Sequence, residues 1–251
     1  MLPEFVTILG VRFFCGSVKD AVERMERGGL LVVPAAPALK DLDRNAGYRE
    51  ALLHADLCIP DSAFMVMIWN RISKPKIRRV SGLAYMRELL RREDARRPGN
   101  VLWIMASEAS AEKNLTWLNK QGVEVPAQCV YVAPMYGAEI EDATLLELVE
   151  RVRPQHIVVT VGGGTQERLG LYLKNRVSYR PAIHCLGAAI AFLSGDQVAI
   201  PVWADRLYLG WLLRTLADPK RFGPRYWDAR KLLKLMVRYR ERLPDPLQTG
   251  R

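Results

Sequence analysis

The chain runs His156-Ile157-Val158-Val159-Thr160-Val161, then Gly162-Gly163-Gly164, then Thr165-Gln166-Glu167-Arg168-Leu169. A short β-branched run, a glycine cluster and a helical pattern over Gln166–Lys174 read as strand, tight turn and helix. The same alternation extends in both directions. Strands are expected at Val6–Leu9 and Val11–Phe14 (a hairpin split by Gly10), Leu30–Val33, Asp56–Ile59, Val101–Met105, Cys129–Val132 and Ala182–Leu186. Between them, helices are expected at Val18–Arg27, Ala46–His54, from near Ser62, and at Leu83–Arg92, Ala109–Asn119 and Thr144–Val152. Strands alternating with helices of this length imply an α/β, Rossmann-like, mostly parallel sheet with helices on both faces. Such sheets bind ligands beyond the carboxyl ends of their strands, so the loops that follow each strand are where chemistry is to be sought.

Composition narrows the class. The chain has 251 residues, 49% hydrophobic and 25% charged, enough apolar content for a substantial core and too much for disorder. Its four cysteines, Cys15, Cys58, Cys129 and Cys185, are dispersed and form no CxxC pair. They read as buried thiols of a reducing compartment, not as a disulfide framework. The longest apolar run, near Gly28 to Leu39, is shorter than the ~18–20 residues that cross a bilayer. Met1-Leu2-Pro3-Glu4-Phe5 lacks the basic and apolar regions of a secretory leader, so a cytoplasmic protein is expected.

The charge is unevenly placed. The formal net charge is +10, and residues 201–251 carry twelve basic residues against five acids, leaving +7 there and +3 in all that precedes. Two segments are expected: 1–200 as the α/β domain and 201–251 as a basic amphipathic appendage. Trp203–Leu216 reads as one helix and Tyr226–Leu243 as another, with Asp218-Pro219 between them. Along the second, Leu232, Leu233, Met236, Tyr239 and Leu243 recur at three- and four-residue steps among Arg and Lys. Basic residues that share a helix with an apolar stripe suit a membrane or a packed partner better than nucleic acid, and no nucleic-acid motif is present.

Asp61 is the sharpest candidate for chemistry. It follows the strand Leu57-Cys58-Ile59 and precedes a helix, where an ionised carboxylate is favoured and can act as a general base; the competing reading is an N-cap. Gly162 and Gly163 lie on a turn whose backbone N–H groups can cradle a phosphate, although neither GxGxxG nor a P-loop is present. Asp41-Leu42-Asp43 imitates a DxD metal motif, but it falls in an expected helix beside Lys40 and Arg44, where ion pairing explains it. His54, His156 and His184 show no ligand spacing. No metal site and no cofactor are expected.

Several segments, in order, resemble the WecG/TagA/CpsF glycosyltransferases, glycosyltransferase family 26. They are Ile8-Leu9-Gly10-Val11, Tyr48-Arg49-Glu50-Ala51-Leu52, Ala55-Asp56-Leu57-Cys58-Ile59-Pro60-Asp61, Arg79-Val80-Ser81-Gly82 and Pro134-Met135-Tyr136-Gly137. Gly162 through Glu167, Ala191-Phe192-Leu193-Ser194-Gly195, and Gly210-Trp211-Leu212-Leu213-Arg214 running into Asp218-Pro219-Lys220-Arg221 complete the set. The resemblance implies an inverting, metal-independent enzyme that moves a sugar from a UDP-sugar donor to a polyprenyl-diphosphate-linked acceptor. Its place would be the inner face of the cell membrane, bound peripherally to anionic lipid, in surface-polysaccharide or wall-polymer synthesis. By resemblance Asp61 is the catalytic base, Gln166 and Arg79 line the substrate site, and Arg214, Arg221 and Arg225 close over it from the appendage. Self-assembly into a homo-oligomer is likewise implied only by resemblance.

The chain also departs from the family pattern. Val33-Pro34-Ala35 stands in place of Thr-Pro-Asn, Ala84 and Ala191 in place of aspartates, Thr165 in place of Lys, and Ala106-Ser107-Glu108-Ala109-Ser110 in place of a glycine-rich turn. These losses strip polar groups from the donor side. They argue against the N-acetylmannosamine, or its uronic acid, of better-known members as the donor sugar and admit a hexose such as glucose; the alternative reading is an inactive member acting as a membrane-docked partner in polysaccharide assembly.

Overall fold

A computed structural model describes residues 3–197, 200–206 and 209–246, apart from the side chains of residues 202, 206, 214, 221, 225 and 226. Eight strands form one sheet: β1 (Phe5–Ile8), β2 (Val11–Phe14), β3 (Gly29–Val32), β4 (Leu57–Cys58), β5 (Val101–Met105), β6 (Val130–Val132), β7 (His156–Val159) and β8 (Ala182–Cys185). Their order is β1-β2-β4-β3-β8-β7-β5-β6. Among the described residues only the β1–β2 hairpin is antiparallel, and every other pairing is parallel. The expected fold class is therefore observed.

The helices of the first 200 residues are α1 (Val18–Met25), α2 (Ala36–Leu39), α3 (Ala46–Leu53), α4 (Ala63–Ile72), α5 (Gly82–Leu89), α6 (Glu93–Arg96) and α7 (Glu108–Lys120). They continue with α8 (Ala143–Val152), α9 (Thr165–Arg176) and α10 (Ala191–Ser194). Local chemistry sets many of their starts. Ser17 and Asp20 form the capping box of α1, and Asn45, Ser62, Ser81, Ser107 and Asp142 cap α3, α4, α5, α7 and α8 through their side chains.

The strands sort their side chains by alternation. Leu30, Val32, Leu102, Ile104, Ile157 and Val159 face one core with α3, α4, α8 and α9. Leu31, Val33, Val101, Trp103, Met105 and Val158 face the other with α1, α5 and α7. Burial on both faces is why β5 reads as an unbroken apolar run, Val101-Leu102-Trp103-Ile104-Met105. Gly170 sets the height of α9: a Cβ there would lie 2.6 Å from both Cys185 Sγ and Leu30 Cδ1, so only glycine lets α9 settle on β3 and β8.

Beyond Pro201 the chain continues as α11 (Val202–Arg206), α12 (Gly210–Ala217), α13 (Pro219–Ala229) and α14 (Lys231–Tyr239). Four helices replace the two expected. The break at Asp218-Pro219 is where the sequence places it, and Pro219 opens α13. A second break, at Arg230, lets α13 pack on α2 while α14 packs on α4. Tertiary packing overrides the continuous periodicity here. Asp41-Leu42-Asp43 is a turn after α2, not a helix interior. Lys40 pairs there with Asp41 at 2.5 Å and with the distant Asp228 at 2.9 Å.

A buried polar chain crosses the second core. Tyr85 Oη lies 3.0 Å from His184 Nδ1, His184 Nε2 lies 3.1 Å from His156 Nδ1, and His156 Nε2 lies 3.3 Å from Asp94 Oδ2. Burial works against the Asp94 charge, but His156 and Arg92 outweigh it and hold its pKa below the ordinary value. An ionised Asp94 fixes the proton order: Tyr85 donates to His184, His184 to His156, and His156 to Asp94. Both imidazoles are then neutral. Burial lowers the pKa of both, although Asp94 partly restores that of His156, while His156 lowers that of His184 further. The native state therefore excludes protons that the unfolded chain takes up below about pH 6.5. The stabilisation is complete above that pH and is lost as pH falls toward the folded-state values. Unfolding free energy should drop as pH falls from about 6.5 to 5, by at most about 3 kcal/mol for two histidines. Thermal melts should show Tm falling by roughly 5–10 °C over that interval; a flat profile would contradict the neutral chain.

Candidate active site

The carboxyl ends of β4, β3, β8 and β7 stand side by side and present the candidate residues in one row. Asp61 follows β4, Val33 follows β3, Gly187 follows β8 and Gly162 follows β7. Three strand spacings separate the first from the last, about 14 Å. Of the expected site residues, Asp61, Gly162 and Gly163 thus lie along one rim.

Asp61 is not the N-cap of α4. Ser62 takes that role, accepting from Met65 N at 3.2 Å, which leaves the Asp61 carboxylate outside the helix-capping network. Arg79 holds it instead. Arg79 Nη2 donates to Asp61 Oδ1 at 2.6 Å, and Arg79 Nε donates to the Asp61 carbonyl. No hydrogen bond reaches Asp61 Oδ2 among the described residues, and the side chain is 28% exposed. Oδ2 lies 3.7 Å from where a Cβ on Gly82 would sit, and Val33 Cγ1 lies 3.0 Å from that same position. Gly82 and Val33 form an apolar wall beside the carboxylate.

Arg79 has a second partner that the sequence reading missed. Asp205, on α11, accepts from Arg79 Nη1 through both its carbonyl and Oδ1 at 2.8 Å, and accepts from Ser81 Oγ through Oδ2 at 2.6 Å. Burial works against the Arg79 charge, but Asp61 and Asp205 outweigh it and raise its pKa above the ordinary value. Around this cluster Leu83, Ile200 and Ala204 form a small apolar core with Phe192, Leu193, Leu209 and Leu213. No periodicity flags Asp205; a lone acid at the start of a basic segment was the only signal available.

At the other end of the row, Gly164 has φ +91°, and Glu167 Oε2 accepts from its N–H at 2.6 Å. Nothing lies within 4 Å of a Cβ built on Gly162, Gly163 or Gly164. Gly162 and Gly163 are exposed, and their N–H groups meet no acceptor among the described residues. The turn is open to a ligand.

Gln166 lies beneath the rim, 3% exposed, its Nε2 donating to Glu167 Oε1 at 3.1 Å and its Oε1 without a hydrogen bond among the described residues. A Cβ on Gly187 would lie 3.4 Å from that oxygen. Burial raises the Glu167 pKa, against the hydrogen bonds from Gln166 and Gly164. It also raises that of Tyr48, whose buried hydroxyl has no hydrogen-bond partner among the described residues, with the Glu167 charge adding to the effect.

A cavity of about 530 Å³ lies over this end of the rim, walled by Pro37, Lys40, Asn45, Tyr48, Gly163 and Gly164, and by Pro224 and Asp228 of α13. Lys40 closes it by bridging to Asp228, whose pKa is held down to about 2, first by Lys231 and then by Lys40. Arg221 and Arg225 are on the same helix and Arg214 is on α12, but their side chains lie outside the described residues. Among the described residues no group of three His, Cys, Asp or Glu is placed to hold a metal.

The family model described as "Glycosyl transferase WecG/TagA/CpsF family" matches residues 6–245. The chain belongs to this glycosyltransferase family. It is 23% identical over 227 residues to an N-acetylglucosaminyldiphosphoundecaprenol N-acetyl-beta-D-mannosaminyltransferase of Staphylococcus aureus strain MRSA252, covering 87% of each chain. The protein of that name from strain NCTC 8325 / PS 47 is 22% identical with the same coverage.

The membership makes the contacts between α11–α14 and the rim of interest in their own right. Asp228→Asn removes the charge that holds α13 to Lys40. Trypsin should then cut within residues 206–230 roughly 3- to 10-fold faster, with the sheet domain still resistant. Unchanged cleavage would show that the Lys40–Asp228 pair does not hold the helix.

Proposed function

We propose that this chain transfers a sugar from a UDP-sugar to a hydroxyl of a polyprenyl-diphosphate-linked acceptor, with inversion at the anomeric carbon, at the inner face of the membrane. The observation that carries the reading is the Asp61 carboxylate, fixed by Arg79 at the strand-end rim with Oδ2 left without a hydrogen bond among the described residues. A base must be held and yet keep a lone pair for the incoming proton, and Asp61 meets both demands.

As the acceptor oxygen attacks the anomeric carbon, Asp61 Oδ2 takes its proton. The bond from that carbon to the β-phosphate oxygen breaks, and its electron pair leaves with UDP. Charge then grows on the diphosphate, and donors fixed in place stabilise it most. The Gly162 and Gly163 amides, and Arg214, Arg221 and Arg225 on the helices above, are assigned that role. Gln166 supports the rim between the two ends. Arg79 is occupied by carboxylates, so it holds the base and does not bind the donor.

Residues 1–200 act as the transferase domain and 201–251 as an appendage that covers it. The S. aureus relatives bear names for N-acetylmannosaminyl transfer to an N-acetylglucosaminyl diphosphoundecaprenol. Their acceptor class suits this chain. The apolar wall of Val33 and Gly82, with Ala35 and Ala84 two residues on from each, supports a donor that asks for fewer polar contacts, such as glucose.

No helix among the described residues is long and apolar enough to cross a membrane. Trp203, Trp211, Leu216 and Trp227 are nevertheless exposed on α11–α13, and Leu233 and Val237 on α14. Near the end of α14, Arg71, Lys74, Lys76, Arg238, Arg240 and Arg242 line a groove of about 660 Å³ with Glu241 its one acid. None of those six cations has a carboxylate within 4.0 Å among the described residues. Exposed indoles on the C-terminal helices and a groove of cations without carboxylate partners both suit an anionic bilayer surface.

Acceptor-dependent UDP release, measured over a panel of UDP-sugars with a lipid-diphosphate glycan in detergent, tests the reading. Asp61→Asn keeps size and hydrogen bonding but removes the base, so turnover should fall about 10²- to 10⁴-fold with UDP affinity nearly intact. Wild-type turnover in that variant would end the assignment. UDP binding without turnover in the unaltered chain would instead favour the inactive, membrane-docked member.

Vesicle sedimentation tests the surface. Binding should be strong with anionic lipid and weak with neutral lipid. Replacing Lys74, Lys76 and Arg238 together by Gln should weaken it roughly 10²-fold, at about 1 kcal/mol per charge. Equal binding to both lipids would remove the electrostatic part of the proposal.

A further inference from the structure

We infer that the groove between the ends of α4 and α14 is a binding site for a lipid headgroup that carries two joined phosphates, presented by the bilayer and separate from the transfer site. The inference rests on the reading of this face as one that meets anionic lipid, and it adds that the face holds one headgroup in a formed site. The groove has two walls. Arg71, Lys74 and Lys76 stand on the end of α4 and the turn after it, and Arg238, Arg240 and Arg242 on the end of α14 and the turn after it.

Basic residues at helix C-termini offset the helix dipole, and that accounts for some of these cations. It does not account for six. Two helix ends together carry about one negative charge and Glu241 adds another, so roughly four positive charges stay uncompensated around the groove. Both walls are fixed. On the α4 side, Trp69 Nε1 donates to the Pro75 carbonyl at 3.0 Å, and Asn70 exchanges two hydrogen bonds with Ile77, at 2.9 and 2.8 Å. On the α14 side, the N–H groups of Leu9 and Gly10 donate to the Arg240 and Glu241 carbonyls at 2.7 and 2.9 Å, and Arg49 Nη1 donates to the Pro244 carbonyl. Backbone held in this way cannot relieve the repulsion between the walls by drawing them apart. An anion between them removes it. A single phosphate can take a bidentate pair of hydrogen bonds from one wall, whereas two joined phosphates serve both walls at once. Four of the six cations are arginines, whose planar fork fits phosphate oxygens.

Two observations favour lipid as the source of those phosphates. One turn before the groove, each helix exposes an apolar side chain. Met67 precedes Arg71 on α4, and Val237 precedes Arg240 on α14 with Leu233 a further turn back. A soluble phosphate needs no apolar collar, but a headgroup joined to acyl chains brings apolar contact with it. The second observation is position. α4 starts beside Asp61 and runs ten residues, about 15 Å, away from the rim before it reaches the groove. The Leu9–Gly10 turn that pins the other wall enters β2 at the amino ends of the parallel strands. Phosphates of a donor or acceptor are needed at the rim, so the groove serves a different molecule.

Sedimentation of the full chain with phosphatidylcholine vesicles containing either phosphatidylglycerol or diphosphatidylglycerol, matched in total anionic charge, tests the site. Binding to the two-phosphate vesicles should be about tenfold tighter. Arg71→Gln combined with Arg240→Gln takes one cation from each wall. It should abolish that preference, with Tm within about 2 °C of the unaltered chain. Lys220→Gln combined with Lys234→Gln removes the same charge from α13 and α14 outside the groove. It should weaken binding to both vesicles alike and keep their ratio. Equal binding at matched charge, or a ratio that survives the groove variant, overturns the inference. Tight binding of inorganic pyrophosphate in solution, lost in the groove variant and without any preference between the vesicles, assigns the groove to a soluble diphosphate and overturns the lipid source. Equal binding to pure phosphatidylcholine vesicles overturns the membrane reading and this inference together; binding that follows charge alone overturns only this one.

Discussion

One guanidinium, that of Arg79, organises the candidate site. Its side chain is 13% exposed, and a cation so far withdrawn from water needs partners that replace most of its hydration. Asp61 and Asp205 supply them from opposite directions, one from the loop after β4 and the other from α11. Removing either carboxylate leaves the other pair incomplete in a half-dry setting. The sheet domain and the C-terminal helices therefore cannot be considered separately at this point, because the cation is desolvated by both and neutralised by both.

The parallel sheet explains why this cluster falls where it does. With every strand after the hairpin parallel, all the loops that follow strands emerge on one side. Four neighbouring strands then deliver a carboxylate, an apolar wall, a glycine over a buried glutamine, and an open amide turn in sequence across the rim. No single loop could hold these groups in such different environments. Asp61 needs partial exposure, Gln166 and Glu167 lie buried under the turn, and the Gly162–Gly163 amides need open space. Strand spacing separates them at almost no conformational cost, because the sheet has already fixed its backbone.

How much of this was legible in the sequence depends on the range of the interaction. Alternating β-branched runs and capped helices are local signals, and they placed the strands, the hairpin and the start of α4 at Ser62. Asp61 was legible for the same reason, since the strand before it and the cap after it left it on the rim. The break at Arg230 was not, because it is imposed by α13 meeting α2 and α14 meeting α4. The chain from Tyr85 through His184 and His156 to Asp94 was not either. Two histidines 28 residues apart become neighbours only because β7 and β8 pair. Asp205 belongs with these. Its partner lies 126 residues away in the chain, and nothing within its own helix announces it.

The charge of the C-terminal segment makes sense in this light. It carries twelve basic residues and five acids, and the excess alone would suggest attachment through its cations. The observed contacts with the sheet domain run the other way: two of the few acids, Asp205 and Asp228, clamp Arg79 and Lys40. Past Lys231, which also pairs with Asp228, this leaves Arg238, Arg240, Arg242 and the Lys74–Lys76 turn with no carboxylate within 4.0 Å among the described residues. A helical segment that docks on its own domain through its anions keeps its cations for a different surface. If it docked through its cations, both the carboxylate beside Arg79 and the positive outer groove would be lost together. Sequence order enforces the division, because Asp205 and Asp228 precede the stretch Lys231–Arg242, so the chain is latched to the rim before it reaches the basic groove.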